Sequence, residues 1–433
     1  MHIYVSGIGG SGVGPLAEIA HQVGYRVSGS DKQHSRNIEH LRALGIDIHI
    51  GQTVGQIAAV HEAQPIDWLV YSSAVAFEGA GAPELDFASA HGIRVSKRDQ
   101  LLNEILAQLH LNLIAVAGTH GKTTTVAMMV YLLRQLGVPV SYILSAETNF
   151  AKMAEYDPKS QYFVYEADEF DRNFLHFSPF VSLISGIGYD HQEVFPTIAD
   201  YHTAFCDYVA KSRQTFVWDE DAAKLGLGAS DTVHVVGDGA SAIHLPGRFN
   251  RRDGWLVATA ASSITGQPVA ALAEILSQFP GLGERMEPIA PNLYSNYAHT
   301  PEKIMAGINV ALEMKKPEQR LVIVYEPLTN RRQHFLLDSY GHVFDGASQI
   351  YWLPSRLARE DPSLPVLTPA QLIDHLDDDT RAVACPAAMG DALKRTIDRH
   401  LEAGDMVVAM VAGGGEDGLD HWLRTTLGAG ALA

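Results

Sequence analysis

Cysteine is nearly missing. The 433 residues hold two, Cys206 and Cys385, far apart in the chain. They form no CxxC pair and no zinc-ligand spacing, which excludes a disulfide scaffold and a structural zinc site and makes a reducing cytoplasm the expected location. Long hydrophobic runs are absent as well; no stretch approaches the roughly 20 apolar residues that span a bilayer. The N-terminus enters a strand at once, without the basic segment and apolar leader expected of a secreted chain. Basic charge is the third shortage. Lys and Arg number 32 against 50 Asp and Glu, for a net charge of −18. Neither nucleic acid nor an anionic membrane is therefore the expected partner, although local basic pockets for phosphates fit this balance. Internal repeats and low-complexity segments are also lacking. What is present, 46% hydrophobic and 19% charged residues, is the composition of a globular chain, and its length calls for two or three domains.

The stretch from Leu111 to Gly137 organises the rest. Leu113 to Ala117 read as a short buried strand ended by Gly118. GTHGKTTT then opens a helix whose apolar positions Val126, Met129, Val130, Leu133 and Leu136 recur at helical spacing. A strand, a glycine turn and a helix beginning at a lysine make a phosphate cradle: backbone N–H groups face an anion and Lys122 adds charge at the outer phosphates. Thr123 is placed to put its hydroxyl on a magnesium ion. The match departs at Val116, which stands where the standard pattern has glycine. A nucleoside triphosphate is the expected ligand.

Upstream, His2 to Ser6 predict a strand followed by GIGGSG, Gly7 to Gly12, and a helix from Pro15 to Val23. A second strand, Tyr25 to Gly29, leads into Ser30 and Asp31. This is the spacing of a dinucleotide-binding unit whose acidic residue holds a ribose. By itself the loop is a weak signal, and a nicotinamide cofactor is one of several ligands it could hold. Trp68 to Tyr71 run into Ser72, Ser73 and Ala74, and Val95 to His110 read as a last strand and connecting helix. The first domain is expected at 1–109.

In the second domain, expected at 110–280, Gln161 to Tyr165 form a strand running into Glu166, Ala167, Asp168, Glu169, Phe170 and Asp171. Val181 to Ile187 form another that runs into Asp190 and His191. Taken singly, the acidic run reads as a solvated loop and His191 as a structural histidine. Three strand ends carrying Lys122 with Thr123, Glu166 and His191 point instead to one metal–phosphate site, since ligands of open parallel sheets sit outside the strands' carboxyl ends. PGRFN, Pro246 to Asn250, leads into a helix-like stretch from Asp253 to Ile264. Turn residues in Phe279 to Pro288 mark the next boundary. The third domain, 281–433, begins with SNYAHTPEKI, read as a loop opening a helix at Pro301. Strands at Arg320–Tyr325, Gln349–Leu353 and Met406–Ala412 follow, then GGGEDG and a final helix from His421 to Leu427. The predicted fold is α/β in three domains: a Rossmann-like N-terminal domain, a central P-loop ATPase-like domain with a mostly parallel sheet, and a Rossmann-like C-terminal domain.

In order and spacing, GIGGSG, GSD at 29–31, SSA at 72–74, GTHGKTTT, EADEFD, DH at 190–191, GRFN, GERME and NYAHTPEK resemble the Mur ligase family, the ATP-dependent amide-forming enzymes of peptidoglycan precursor synthesis. GIGGSG and GTHGKTTT are most similar to the branch that adds L-alanine to UDP-N-acetylmuramate. TNF at 148–150, YDHQEVF at 189–195 and EPLTN at 326–330 look closer to the murein peptide ligase branch, which adds a short peptide to the same sugar nucleotide. The resemblance implies an acyl-phosphate mechanism with ATP as co-substrate, magnesium as cofactor, and a C-terminal domain closing on ATP and the amine. It implies ATP binding by Gly118, Thr119, His120, Gly121, Lys122, Thr123, Thr124, Asn250, Arg285, Asn296 and His299. Thr123, Glu166 and His191 would hold magnesium, and Lys122, Glu166, His191 and Arg285 would be catalytic. Gly9, Gly10, Ser11, Gly12, Asp31, Ser72 and Ser73 would frame the uridine diphosphate. A monomer or weak homodimer is expected.

The departures are specific. Asn296 stands where the family has an aspartate on the ATP ribose, Phe249 replaces a histidine, and Asp253 replaces an asparagine. LTNRRQ, with Arg331 and Arg332, replaces the HRYTR-like stretch of the alanine-adding branch. No lysine stands where some members carry a carbamylated one; Phe205 and Cys206 lie about there. Two rivals remain open. A nicotinamide oxidoreductase rests on the first forty residues alone, and a Mur-like protein that binds nucleotides without ligation is favoured by Asn296 and Phe249.

Overall fold

Short apolar runs alternate with helices to build three sheets. The computed structural model describes all residues except 11, 73–74, 76–81, 147, 192–193, 284–285, 358–360, 362, 413–416 and 429–433. Ser11, Ser73 and Arg285 thus lie outside the described residues.

The first sheet contains β1 (His2–Ser6), β2 (Arg26–Asp31), β3 (Asp47–Ile50), β4 (Trp68–Tyr71) and β5 (Arg94–Lys97). Its order is β3-β2-β1-β4-β5, all parallel. Strand order reverses beside β1, so a crevice opens at the carboxyl ends of β1 and β4, where Gly7 and Ser72 stand. β2 runs further than the sequence suggests and takes Ser30 and Asp31 into the ladder, paired with His49 and Ile50.

The second sheet contains β6 (Asn112–Ala117), β7 (Val140–Ile143), β8 (Ala154–Glu155), β9 (Tyr162–Glu166), β10 (Val181–Ile184), β11 (Thr215–Trp218) and β12 (Val233–Val236). Its order is β12-β11-β10-β6-β9-β7-β8, parallel except where β8 meets β7. β6 lies between β10 and β9, which brings the three chemistry-bearing strand ends side by side. Val116, at the position of the missing glycine, is an ordinary buried ladder residue paired with Leu183 and Glu166. The turn starts two residues later, at Gly118. β10 stops at Ile184, shorter than predicted, because Ser185 turns toward the Gly118–Gly121 turn and donates to the His120 carbonyl.

The third sheet contains β13 (Glu287–Ala290), β14 (Leu293–Tyr297), β15 (Leu321–Tyr325), β16 (Gln349–Trp352), β17 (Ala384–Pro386) and β18 (Met406–Val411), in the order β13-β14-β18-β15-β16-β17. Only β13 pairs antiparallel. Two corrections to the predicted elements arise. Ser295 and Asn296 are not in a loop: they pair with Ala409 and Met410 inside the sheet. Their polarity masks a buried strand beside β18, which tolerates them because Ser295 finds Asp420 and Asn296 finds Met286. The helix expected from Asp253 already begins at Arg248, since Gly247 turns at φ +85° and its carbonyl accepts from Arg251 N–H.

The chain divides into two compact units, Met1–His244 with Arg252–Phe279, and Leu245–Arg251 with Pro280–Ala433. The first holds two sheets and the second holds one. Among the described residues no helix is long and apolar enough to cross a membrane.

Candidate active site

The Gly118–Gly121 turn is built from backbone that only glycine adopts easily. Gly118 lies at φ +138° and Gly121 at +75°. A Cβ at Gly118 would stand 2.6 Å from Ser185 Oγ and 2.8 Å from the Gly186 carbonyl; one at Gly121 would stand 2.8 Å from both Asp253 oxygens. Thr119 N–H donates to Gly186 O at 2.8 Å. Its hydroxyl donates to Gly188 O at 2.6 Å and meets the Tyr201 hydroxyl at 2.7 Å. The turn is therefore held to the loop after β10 by its own hydrogen bonds.

Lys122 opens the helix Lys122–Gln135. Its ammonium donates to Gly118 O at 2.6 Å and to Glu169 Oε2 at 2.8 Å. Burial works against that charge, but the carboxylates of Glu169, Glu166 and Asp168 outweigh it and hold the Lys122 pKa above its usual value. Glu169 has no exposed surface, and burial pushes its carboxyl up despite Lys122. The next helical residue, Thr123, donates its hydroxyl to Glu166 Oε2 at 3.0 Å. A hydroxyl and a carboxylate at this separation are hard oxygen donors of the kind magnesium takes. Thr124 is buried on the same helix.

His191 occupies a left-handed conformation, φ +58°, and its N–H donates to Asp190 Oδ1 at 2.8 Å. Its Nε2 stands 4.0 Å from Glu169 Oε1, and its ring meets Phe170 edge-on at 5.1 Å. Lys122, Thr123, Glu166 and His191 thus share one edge of the second sheet. The chain bends sharply after Glu169: Asp171 and Arg172 lie at φ +55° and +57°, and Asp171 pairs with Lys97 at the end of β5. Phe205 is buried against Phe174 and Tyr201.

At the carboxyl end of the first sheet, Gly9 N–H donates to Asp31 Oδ2 at 2.8 Å and Gly9 O accepts from Asn37 at 3.2 Å. Asp31 therefore braces the glycine turn itself. Gly10 N–H donates to Gly7 O at 3.2 Å, and Gly12 lies against Arg98. Ser72 N–H donates to Ser6 O at 3.2 Å, and a Cβ at Gly7 would stand 2.8 Å from its hydroxyl oxygen. Beneath the turn the buried Glu84 accepts from Tyr4, Ser6 and Ser30, tying β1 to β2.

The second unit carries the remaining predicted residues. Asn250 sits in the first helical turn with its amide on Pro246 O at 2.8 Å. Its neighbour Phe249 is exposed and borders a cavity of about 540 Å³ with Arg248, Arg251, Asn309 and Glu313. Asn296 is buried: its oxygen accepts from Met286 N–H at 3.2 Å and its nitrogen meets Met410 Sδ at 3.4 Å. His299 is buried with its ring 4.7 Å from Tyr297.

Glu169, Tyr201, Ser185, Glu84 and Arg98 escaped the sequence reading as site residues. Glu169 was visible as part of an acidic run, but nothing in that run says which carboxylate turns inward. Tyr201 and Arg98 belong to helices and carry no local motif.

Residues 2–110 match the family described as "Mur ligase family, catalytic domain", and residues 116–250 match "Mur ligase middle domain". The chain is 30% identical to UDP-N-acetylmuramate–L-alanine ligase from Streptomyces coelicolor over 94% of each protein. Its fold matches the crystal structure of UDP-N-acetylmuramate-alanine ligase from Thermotoga maritima with a TM-score of 0.71, at 21% identity over 95% of each chain. It also matches a murein peptide ligase from Psychrobacter arcticus with a TM-score of 0.63, at 23% identity over 99% of each chain.

Proposed function

Because this chain belongs to the Mur ligase family, we propose that it is an ATP-dependent amide-bond ligase joining L-alanine to UDP-N-acetylmuramate in peptidoglycan precursor synthesis. The observation that carries this reading is the arrangement of Lys122, Thr123 and Glu166 at adjacent strand ends, with Thr123 Oγ1 3.0 Å from Glu166 Oε2. Residues 1–109 would take the sugar nucleotide, 110–280 ATP, and 281–433 the amine.

In this reading a lactyl carboxylate oxygen attacks the γ-phosphorus and breaks its bond to ADP. The amine nitrogen then adds to the acyl carbon, loses a proton, and inorganic phosphate leaves. The chain's work is alignment and charge stabilisation rather than covalent catalysis. Lys122 places its ammonium beside the β- and γ-phosphates, and the N–H groups of Gly121 to Thr123 face the same anion. Thr123 and Glu166 would hold magnesium, which when bound neutralises the outer phosphate oxygens. His191 is proposed to approach a second ion near the substrate carboxylate. Asn250 is assigned to the adenine, and Arg285 to the γ-phosphate. Asn296 and His299 are assigned near the ribose, Asn296 only if it gives up its contacts with Met286 and Met410.

The second reading, addition of L-alanyl-γ-D-glutamyl-diaminopimelate, is favoured by one feature. Asn330 is buried, tied to Pro365 O and Leu367 N–H, and is followed by Arg331 and Arg332 where the helix Asn330–Leu336 starts. Such an arginine pair suits a peptide with extra carboxylates. The deciding experiment is phosphate release from ATP with UDP-N-acetylmuramate, offered L-alanine or the tripeptide in parallel. The higher kcat/KM is expected with L-alanine; a higher value with the tripeptide selects the second reading. Phosphate release with neither amine would overturn ligation and leave a nucleotide-binding protein.

A further inference from the structure

Arg98 is the first residue of the helix Arg98–Leu109 and follows β5 directly. Its guanidinium lies over the glycine turn: a Cβ at Gly12 would collide with Nη1. On the other side, Nη2 stands 3.7 Å from Asp168 Oδ2 in the acidic segment after β9. Nε stands 3.7 Å from Asp99 Oδ1. Both distances exceed hydrogen-bond length. Nε is buried without a hydrogen-bond partner among the described residues, and both Asp99 oxygens are buried without one as well. Two carboxylates hold this cation in place by charge while its fork of donors is left under-used. Nε and Nη2 face these carboxylates, and Nη1, on the turn side, is the donor that an anion on the glycine turn would meet.

We propose that Arg98 binds the diphosphate of the nucleotide sugar seated on the Gly7–Gly12 turn and, through Asp168, links that turn to the acidic segment of the ATP site. This rests on the ligase reading above, which places a uridine diphosphate sugar there. The diphosphate is chosen over the sugar's carboxylate because Nη1 meets Gly12, two residues before the helix Gly14–Gln22 begins. A diphosphate lies at that end of a glycine turn. Arg98 then has two partners to share, the ligand and Asp168.

The test is calorimetric titration of the full-length chain with UDP, uridine, UDP-N-acetylmuramate and Mg·ADP, on wild type, Arg98→Gln and Arg98→Lys. Arg98→Gln is expected to weaken UDP by about 10- to 100-fold, the range of a charge-assisted hydrogen-bond pair. Uridine should keep its affinity within about twofold, as expected when only a phosphate contact is lost. Arg98→Lys, which keeps the charge but not the fork, should recover part of the UDP affinity. In turnover the loss should fall on KM for the sugar nucleotide rather than on kcat. UDP affinity unchanged in Arg98→Gln overturns the proposal, even if UDP-N-acetylmuramate is weakened, since that result assigns Arg98 to the carboxylate. Equal loss of uridine and UDP in both variants also overturns it, as a structural role. Wild-type chain that binds no UDP overturns the ligase reading together with this one.

Discussion

The Lys122 ammonium and the Glu169 carboxylate meet at 2.8 Å, and Glu169 is fully removed from solvent. The cation that the ligase reading assigns to the triphosphate is thus held by a protein anion, with Tyr201 3.4 Å from the other Glu169 oxygen. On that reading a phosphate would share Lys122 with this partner, which keeps the side chain charged.

Removing one member of that pair leaves the other charge buried. Lys122→Met and Glu169→Gln should each destabilise the first unit by about 3 kcal/mol, the cost of breaking a buried ion pair. The double variant should recover most of the stability and none of the turnover. Urea unfolding of all three beside phosphate-release assays checks this; additive losses in the double variant would show that the two residues are not coupled.

Glu166→Gln separates catalysis from folding. The amide oxygen still accepts from Thr123, so the unfolding midpoint should barely move. Turnover should fall by about 100- to 1000-fold, as when one charge-stabilising group is lost. Near-normal turnover would remove Glu166 from the metal–phosphate site.

Gly118→Ala tests the turn. The new methyl meets Ser185 Oγ and Gly186 O in a backbone region that alanine avoids. A loss of about 1–3 kcal/mol is expected, with weaker Mg·ATP binding. Calorimetric titration and thermal unfolding give the two readouts; wild-type values for both would mean that the turn relaxes freely.

Asp99 supplies a pH dependence of unusual sign. Burial is the largest influence and pushes its carboxyl up to about 6, although Arg98 and Lys97 pull it down. The folded chain therefore holds this proton more tightly than the unfolded one, so its contribution to stability falls as pH rises from about 4 to 6 and stays low above that. The span amounts to roughly 2–3 kcal/mol at most. Asp99→Asn should flatten that slope and raise stability at pH 7 relative to wild type. Unfolding measured from pH 4.5 to 7.5 decides it; an unchanged slope in the variant would clear Asp99 of the effect.

The sequence by itself determined the local devices. An apolar run, a glycine and a lysine specify strand, turn and helix at Leu113–Gln135 because each depends on neighbours only a few residues away. The same holds for His2–Gly12 and for the strand ends carrying Glu166 and His191. That these ends lie side by side depends on β6 being inserted between β10 and β9, a pairing of segments about 50 to 70 residues apart that only the assembled sheet decides. Asn296 shows the reverse error. Its polar segment reads as a loop, but β18 recruits it as a buried strand and spends its amide on Met286 and Met410.

The acidic segment after β9 marks where sequence reading ends. Glu166, Asp168, Glu169 and Asp171 are alike in composition, and an irregular segment has no period from which to read direction. Tertiary structure alone sends Glu166 to Thr123, Asp168 toward Arg98, Glu169 inward to Lys122 and Asp171 to Lys97. Left-handed backbone at Asp171 and Arg172 bends the chain after Glu169, where Asp171 turns to Lys97. Glu166 accepts from a hydroxyl, while the other three carboxylates each face a cation, and these partners come from β5, the helix behind it and the helix that follows Gly121, far from the acids in sequence.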